Sequence, residues 1–203
     1  MKVKVLGEAG FEWALLGLSK SFKDRKIPHG VWWTKERFEG LQKTAKGMAF
    51  QDGGHNKFLE SMQVWVDIEA PRGFWQEFDT YRVGTTKQSD STMHTIQRRR
   101  LEMDDFEDGT NELMVREFNH ILARHTDNFH MKGRLTGRSL QVVKWNLPEG
   151  FLQSRVVNLN YKVLRGMFNQ RWNHNLEQWQ TFIKEMRGQL EHPELLPTNN
   201  KQE

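Results

Sequence analysis

The chain of 203 residues contains no cysteine. That absence excludes disulfides, thiolate metal sites and any cysteine nucleophile. No apolar run approaches the roughly 20 residues that a membrane-crossing helix needs. The N-terminus, MKVKVLGEAG, starts basic but has no signal-peptide hydrophobic region, so a cytoplasmic location without a membrane partner is expected. Neither a Gly-rich dinucleotide fingerprint nor a P-loop is present, and there is no internal repeat or low-complexity domain. His120, His125 and His130 are spaced so that they turn away from one helical face, and no metal site is expected from them.

What the chain does hold is ordinary in bulk. Hydrophobic residues make up 36% and charged residues 28%, and the length supports a sizeable core in one domain over residues 1–191, followed by a flexible tail over 192–203. The net charge of +4 suits phosphate-bearing ligands without by itself indicating a nucleic-acid binder. Eight tryptophans and thirteen phenylalanines fill a core with large rings, and leave a few that could stack on a flavin or a base.

The segment from Gly53 to Arg100 carries most of the chemistry. Gly53-Gly54-His55 is a turn. Met62, Val64, Val66 and Ile68 alternate with polar neighbours, the period of a half-buried strand. Pro71 then opens a short helix at a position that tolerates a missing amide hydrogen, and Phe74, Trp75, Phe78 and Tyr81 follow at helical spacing. Arg82 stands at its end, before a polar loop over 84–92 too hydrophilic for the core. An arginine and a hydroxyl-rich loop delivered to one place suit an anion or nucleotide site, with Arg82 otherwise free to pair with Asp79 or Glu77.

Elsewhere the patterns predict a strand over 2–6, a turn over 7–10, and a helix over 11–22 carrying Trp13, Leu15, Leu16 and Leu18. A helix capped by Thr34 should run through Phe50, with Phe38 and Leu41 inward. A further helix over 111–128 should carry a stripe of Leu113, Met114, Phe118, Ile121 and Leu122. After an Arg- and Lys-rich loop marked by Gly133 and Gly137, the chain should hold a mixed segment over 140–147 and a strand over 156–159. Helices over 161–168 and 176–190 should follow, the last with Trp179, Phe182, Ile183 and Met186 inward. Helices interleave with a few strands able to pair antiparallel, so the class is α+β. Arg98-Arg99-Arg100 reads as a solvated face, or as phosphate contacts.

The order of these pieces resembles the flavin-dependent thymidylate synthases. Gly54-His55, a strand, Ala70-Pro71 and an aromatic helix ending in Arg82 follow that family's order at similar spacing. Leu147-Pro148, then the segment from Asn160 to Asn169 and Arg171, do so in the C-terminal half. Ser21-Phe22 is similar to an N-terminal pair beside the flavin phosphates. Thr80-Tyr81-Arg82 stands where the family has Arg-His-Arg, and the base-approaching serine falls on Asp90 or Ser91. The arginine beyond it becomes Thr92 or Met93, and Lys144 replaces another arginine.

The resemblance implies a mixed helix and antiparallel-sheet domain, assembled as a homotetramer with sites at subunit boundaries. It implies FAD, held by Ser21, His55, Tyr81, Arg82, Asn160 and Asn169, with NADPH and methylenetetrahydrofolate as co-substrates. Glu77, Lys144 and Arg171 would bind a pyrimidine deoxynucleotide, dUMP by default, with Ser91 and Asp90 at the base. A one-carbon group would pass to C5 as a methyl or hydroxymethyl group, without a protein cysteine attacking the base. Without the resemblance, His55 reads equally as a turn histidine, and Asn160, Asn169 and Arg171 read as helix-surface residues. A catalytically silent oligomer that binds nucleotide or nucleic acid on the same fold is the alternative.

Overall fold

The computed structural model of the protein describes residues 1–21, 34–126 and 135–198. Four strands, β1 (Lys2–Ala9), β2 (Gln63–Pro71), β3 (Thr85–Ser89) and β4 (Leu152–Asn160), form an antiparallel sheet in the order β1-β2-β4-β3. The helices among the described residues are α1 (Phe11–Ser19), α2 (Lys35–Met48), α3 (Arg72–Phe78), α4 (Thr92–Thr95), α5 (Glu112–His125), α6 (Gly137–Trp145), α7 (Tyr161–Arg171) and α8 (Glu177–Gln189). The class is α+β, as the sequence patterns predict. The contacts define two compact units that interleave along the chain, each built from several separate stretches.

The first unit comprises residues 1–2, 68–80 and 88–156. Ile96, Leu101, Phe106, Phe118, Leu122 and Phe151 are among its buried residues. Helix α3 begins just after Pro71, which ends β2 in an extended conformation at the helix N-cap, and buries Phe74, Trp75 and Phe78 on one face. Trp75 is the anchor: its indole N–H donates to the carbonyls of Ala70, 3.1 Å away, and Gln153, 2.9 Å away. Helix α5 departs from its expected stripe. Val115, Phe118 and Leu122 face inward, whereas Leu113 and Met114 are 65% and 55% exposed. The buried Asn119 sets this rotation, because its side chain closes two hydrogen bonds of 2.9 and 2.8 Å with the backbone of Leu101. A buried amide satisfied on both ends is cheap, whereas one left unpaired costs about 1–3 kcal/mol.

The second unit comprises residues 3–67, 81–87 and 157–203, described as far as residue 198. Strand β2 alternates within it as expected, with Val64 and Val66 buried and Trp65 turned outward. Helix α1 starts at Gly10, whose φ of +97° lies in the left-handed region, and ends at Ser19; the part of the expected helix at Phe22 lies outside the described residues. Leu15 is buried, but Trp13 is 71% exposed, so the apolar run over 11–18 serves two faces. Thr34 caps α2, its hydroxyl accepting from the Arg37 amide, and Leu41 is buried. Trp179, Phe182, Ile183 and Met186 all face inward from α8.

Three further expectations change. Strand β1 continues through residues 7–9, where a turn is predicted. The mixed segment over 140–147 lies largely in helix α6. Part of the polar loop over 84–92 is strand β3, which lies at the edge of the sheet, where a strand needs a pairing partner on one side only and polar residues are tolerated. In the C-terminal segment, residues 193–195 form a 3₁₀ turn. Leu195 and Leu196 are buried, and Arg187 donates to the carbonyls of Leu196 and Pro197.

A Cβ added to Gly10 would stand 2.3 Å from the Ser61 carbonyl oxygen, so the position demands both a positive φ and an empty side-chain volume. Gly10→Ala should therefore destabilise the protein by about 2–3 kcal/mol, read as a lower urea midpoint. Gly40→Ala, at an open interior position of α2, should instead stabilise it by about 0.5–1 kcal/mol.

Candidate functional site

The residues singled out by the sequence fall in both units. In the second unit, Tyr81 and Arg171 meet although they lie 90 positions apart in sequence. The Arg171 Nε donates to the Tyr81 hydroxyl at 2.9 Å, and that hydroxyl donates to Gln170 Oε1 at 2.8 Å. The guanidinium carbon lies 5.6 Å from the Tyr81 ring centre and 5.0 Å from that of Trp179. A planar cation laid against two electron-rich faces is held in place while keeping its charge. Helix α7 brings Arg171 here as its last residue, and the aromatic body of α8 supplies Trp179. His174 completes the cluster, its ring 6.4 Å from that of Trp179.

Arg82 follows Tyr81 directly and is exposed. Among the described residues it makes no ion pair. The Asp79 carboxylate, one of its expected partners, is bound instead by Arg155. Gly84, with φ of +70°, lets this segment pass close to Asn160, whose side-chain nitrogen would stand 2.9 Å from an added Cβ. Asn160 caps α7 by accepting from the Val163 amide at 3.0 Å. Its carboxamide oxygen is thus committed to the helix, and its position braces the loop that carries Arg82. Asn169 is exposed near the end of α7, His55 is exposed in the turn after Gly53 and Gly54, and Ser21 is exposed just beyond α1.

A cavity of this unit, about 310 Å³, is lined by Phe11, Trp13, Tyr161, His192 and neighbouring residues. The Tyr161 hydroxyl donates to Glu8 and accepts from the His192 amide, and burial with the adjacent carboxylate pushes its ionisation far up. This contact anchors the C-terminal segment onto β1.

In the first unit, Asp90 and Ser91 form the corner between β3 and α4. The Ser91 carbonyl accepts from the amides of His94 and Thr95, while its hydroxyl makes no capping bond. Asp90 borders an open cleft of about 450 Å³ together with Glu69, Thr95, Arg98, Arg99, Asp104 and Asp105, over a floor that includes Ile96, Leu101 and Phe151. The basic run thus divides by role. All three are exposed, but Arg99 forks onto Asp105, with Nη1 2.7 Å from Oδ2, and holds that carboxyl below the usual carboxylate range, whereas Arg98 and Arg100 form no ion pair among the described residues. Glu77 is half-buried on α3, and Lys144 lies half-buried in the last turn of α6.

Sequence reasoning missed Gln153 and Arg155. Gln153 is buried in β4 and donates to the Asp90 carbonyl at 3.1 Å. Arg155 lies over the Trp75 ring, 4.2 Å from its centre, and binds both Asp79 oxygens at 2.9 and 3.1 Å. Nothing in a strand sequence announces such residues, because their importance comes from what they meet. No metal-ligating cluster is found among the described residues, and no described helix is long and apolar enough to cross a membrane.

With this geometry in place, the chain is similar along nearly its whole length to flavin-dependent thymidylate synthase ThyX from Helicobacter pylori, complexed with FAD and dUMP. The TM-score is 0.74 at 16% identity, covering 97% of this chain and 98% of that one. A second structure of Helicobacter pylori ThyX with FAD and dUMP gives 0.69 at 14% identity, covering 95% of each chain. The chain has the flavin-dependent thymidylate synthase fold. By sequence, it matches no protein-family profile and no curated protein. A shared fold at so little shared sequence shows the architecture alone, and function has to be argued from the site.

Asp90 is exposed overall, yet partial loss of solvent around its carboxyl, reinforced by Glu69, raises it above its ordinary 3.8, outweighing its bonds to Ser154 and Gln153 and the charge of Arg155. The folded protein therefore keeps this proton to higher pH than the unfolded chain. This group's contribution to stability falls as pH rises from the unfolded value through the folded one, and is constant above it. Asp90→Asn should raise the urea midpoint at pH 7, and that gain should shrink towards zero below pH 3.8, where both carboxyls are protonated. An Asn variant less stable than the parent at pH 7 would refute this.

Proposed function

We propose that the protein is a divergent flavin-dependent thymidylate synthase-like enzyme, acting on a pyrimidine deoxynucleotide with dUMP as the default substrate. The observation that carries the reading is the meeting of Tyr81 and Arg171 on the end-to-end fold match. Those two positions come from distant stretches, and the family resemblance implies a cofactor role for the one and a substrate role for the other. Arg171, half-buried on two rings, is a fixed cation of the kind that grips a phosphate, and Arg82 offers a second, exposed guanidinium. These donors fit phosphate-bearing ligands such as FAD and a deoxynucleotide. FAD would be held by Arg82, Tyr81, His55, Ser21 and Asn169, with Asn160 bracing the loop. The nucleotide would be held by Arg171, Lys144 and Glu77, with Asp90 and Ser91 turned to the base.

When bound, reduced flavin would supply the two electrons that turn a methylene group into a methyl group. NADPH would reduce the flavin, and methylenetetrahydrofolate would give up its one-carbon unit to C5 of the base, leaving tetrahydrofolate. A hydroxymethyl product would differ only in how the transferred carbon is resolved. The residues of the chain orient and neutralise: Arg171 and Lys144 balance phosphate charge, and the Ser91 hydroxyl, uncommitted to helix capping, offers a donor to a base carbonyl. Assembly as a homotetramer with sites at subunit boundaries, in a cytoplasmic setting, belongs to the same reading.

A second reading is a catalytically silent oligomer that binds nucleotide or nucleic acid. It is favoured by the exposed Arg98 and Arg100 and by Thr80, and Thr92 or Met93, where the family resemblance implies arginines. Absorbance of the purified protein before and after loading with FAD and gel filtration separates the two. Flavin bands retained at a tetramer's elution volume, followed by thymidylate formation from dUMP, methylenetetrahydrofolate and NADPH, are the expected result. Arg171→Ala should raise the KM for dUMP roughly 10- to 100-fold, the range expected for losing charge-assisted hydrogen bonds. A protein that stays colourless under every loading condition, yet binds DNA with steep salt dependence, would replace the first reading with the second.

A further inference from the structure

Gln153 is only 8% exposed, yet its side-chain amide makes bonds at both ends. Its Oε1 faces Arg155, 3.3 Å from Nε and 3.0 Å from Nη2. An arginine side chain carries donors only, so the amide has one workable orientation, oxygen towards the guanidinium and nitrogen away from it. That orientation aims Nε2 at the Asp90 carbonyl, 3.1 Å away. The Asp90 amide meanwhile donates to the Ser154 carbonyl at 3.0 Å. Both backbone polar groups of Asp90 are thus gripped by consecutive residues of β4.

The guanidinium that fixes the amide is itself held on three sides. Asp79 binds it through both carboxylate oxygens, Trp75 lies under its face, and its side chain is only 15% exposed. Trp75 closes the arrangement by donating to the Gln153 carbonyl. The result is a relay from Asp79 through Arg155 and Gln153 to the Asp90–Ser91 corner, which borders the cleft containing Arg98 and Glu69.

We infer that Gln153 and Arg155 are the positioning residues of the Asp90–Ser91 corner, deciding where its carboxylate and hydroxyl meet a pyrimidine deoxynucleotide. The consequence for binding rests on the proposed function, whereas the pinning of the corner does not. The same two residues act on the charge of Asp90. Gln153 and Arg155 both favour the ionised carboxylate, against burial and Glu69, with Arg98, Arg99, Asp104 and Asp105 the remaining charged groups of the cleft.

The test uses the full-length protein and the variant Gln153→Glu. A glutamate keeps a partner for Arg155, converting the contact to an ion pair, but it has no N–H to give the Asp90 carbonyl. The thermal midpoint should stay close to that of the parent, while hydrogen–deuterium exchange in peptides spanning residues 88–95 speeds up roughly tenfold, as for the loss of one internal bond. The KM for dUMP should rise by a similar factor with flavin retention unchanged. Arg155→Lys, which keeps the charge but loses the planar fork, should show both effects at smaller size. Unchanged exchange over residues 88–95 in both variants would overturn the positioning role. Faster exchange with an unchanged KM would overturn its consequence for binding. A parent protein that holds neither flavin nor dUMP overturns the proposed function and the binding consequence together, and the exchange rates then still decide whether Gln153 pins the corner.

Discussion

The indole N–H of Trp75 is shared between two carbonyls, those of Ala70 at the end of β2 and Gln153 at the start of β4. Much of the first unit depends on that contact. It fixes how helix α3 lies against the paired strands, and it presents a ring face on which Arg155 can rest. Aromatic bulk therefore does two things at once here: it fills the interior, and it supports a charge at the interior's edge.

The second unit repeats the device with different residues. Arg171 rests against Tyr81 and Trp179, and the Tyr81 hydroxyl passes a hydrogen bond on to Gln170. In both units a guanidinium is immobilised by a ring face and a directional acceptor, leaving little side-chain entropy to lose when a ligand arrives. A lysine could not replace either, because it offers no plane to stack and no fork to orient. The abundance of aromatics in the composition thus has a use beyond core volume, and the chain achieves it without cysteine or a metal-ligating cluster among the described residues.

Strand β3 and the corner after it show how a polar segment can be ordered without being buried. Thr85–Ser89 lies at the sheet edge, Gly84 supplies the positive φ that brings the chain past Asn160, and Asp90 is tied to β4 through its backbone. Thr85 and Lys87 donate their side chains to the Tyr81 carbonyl, while the Asp90–Ser91 corner is held through backbone groups. That is the arrangement expected of a recognition loop mounted on a rigid support.

By itself, the sequence determined the class, the element order and most core faces. Periods of two in Val64, Val66 and Ile68, and of three to four in Trp179, Phe182, Ile183 and Met186, are local consequences of strand and helix geometry, and they hold whatever the rest of the chain does. Several candidate positions, Tyr81 and Arg171 among them, came from the order of its pieces through a family resemblance. Only the tertiary structure decided that these two touch, that Asn160 spends its oxygen on a helix cap, and that Arg99 serves Asp105 while Arg98 does not. It also rotated α5 about Asn119, turning Leu113 and Met114 outward, and made Gln153 and Arg155 matter. Each of these depends on a partner distant in sequence, and hydrogen-bond direction, ring stacking and ion pairing leave no period in the chain from which that partner could be read.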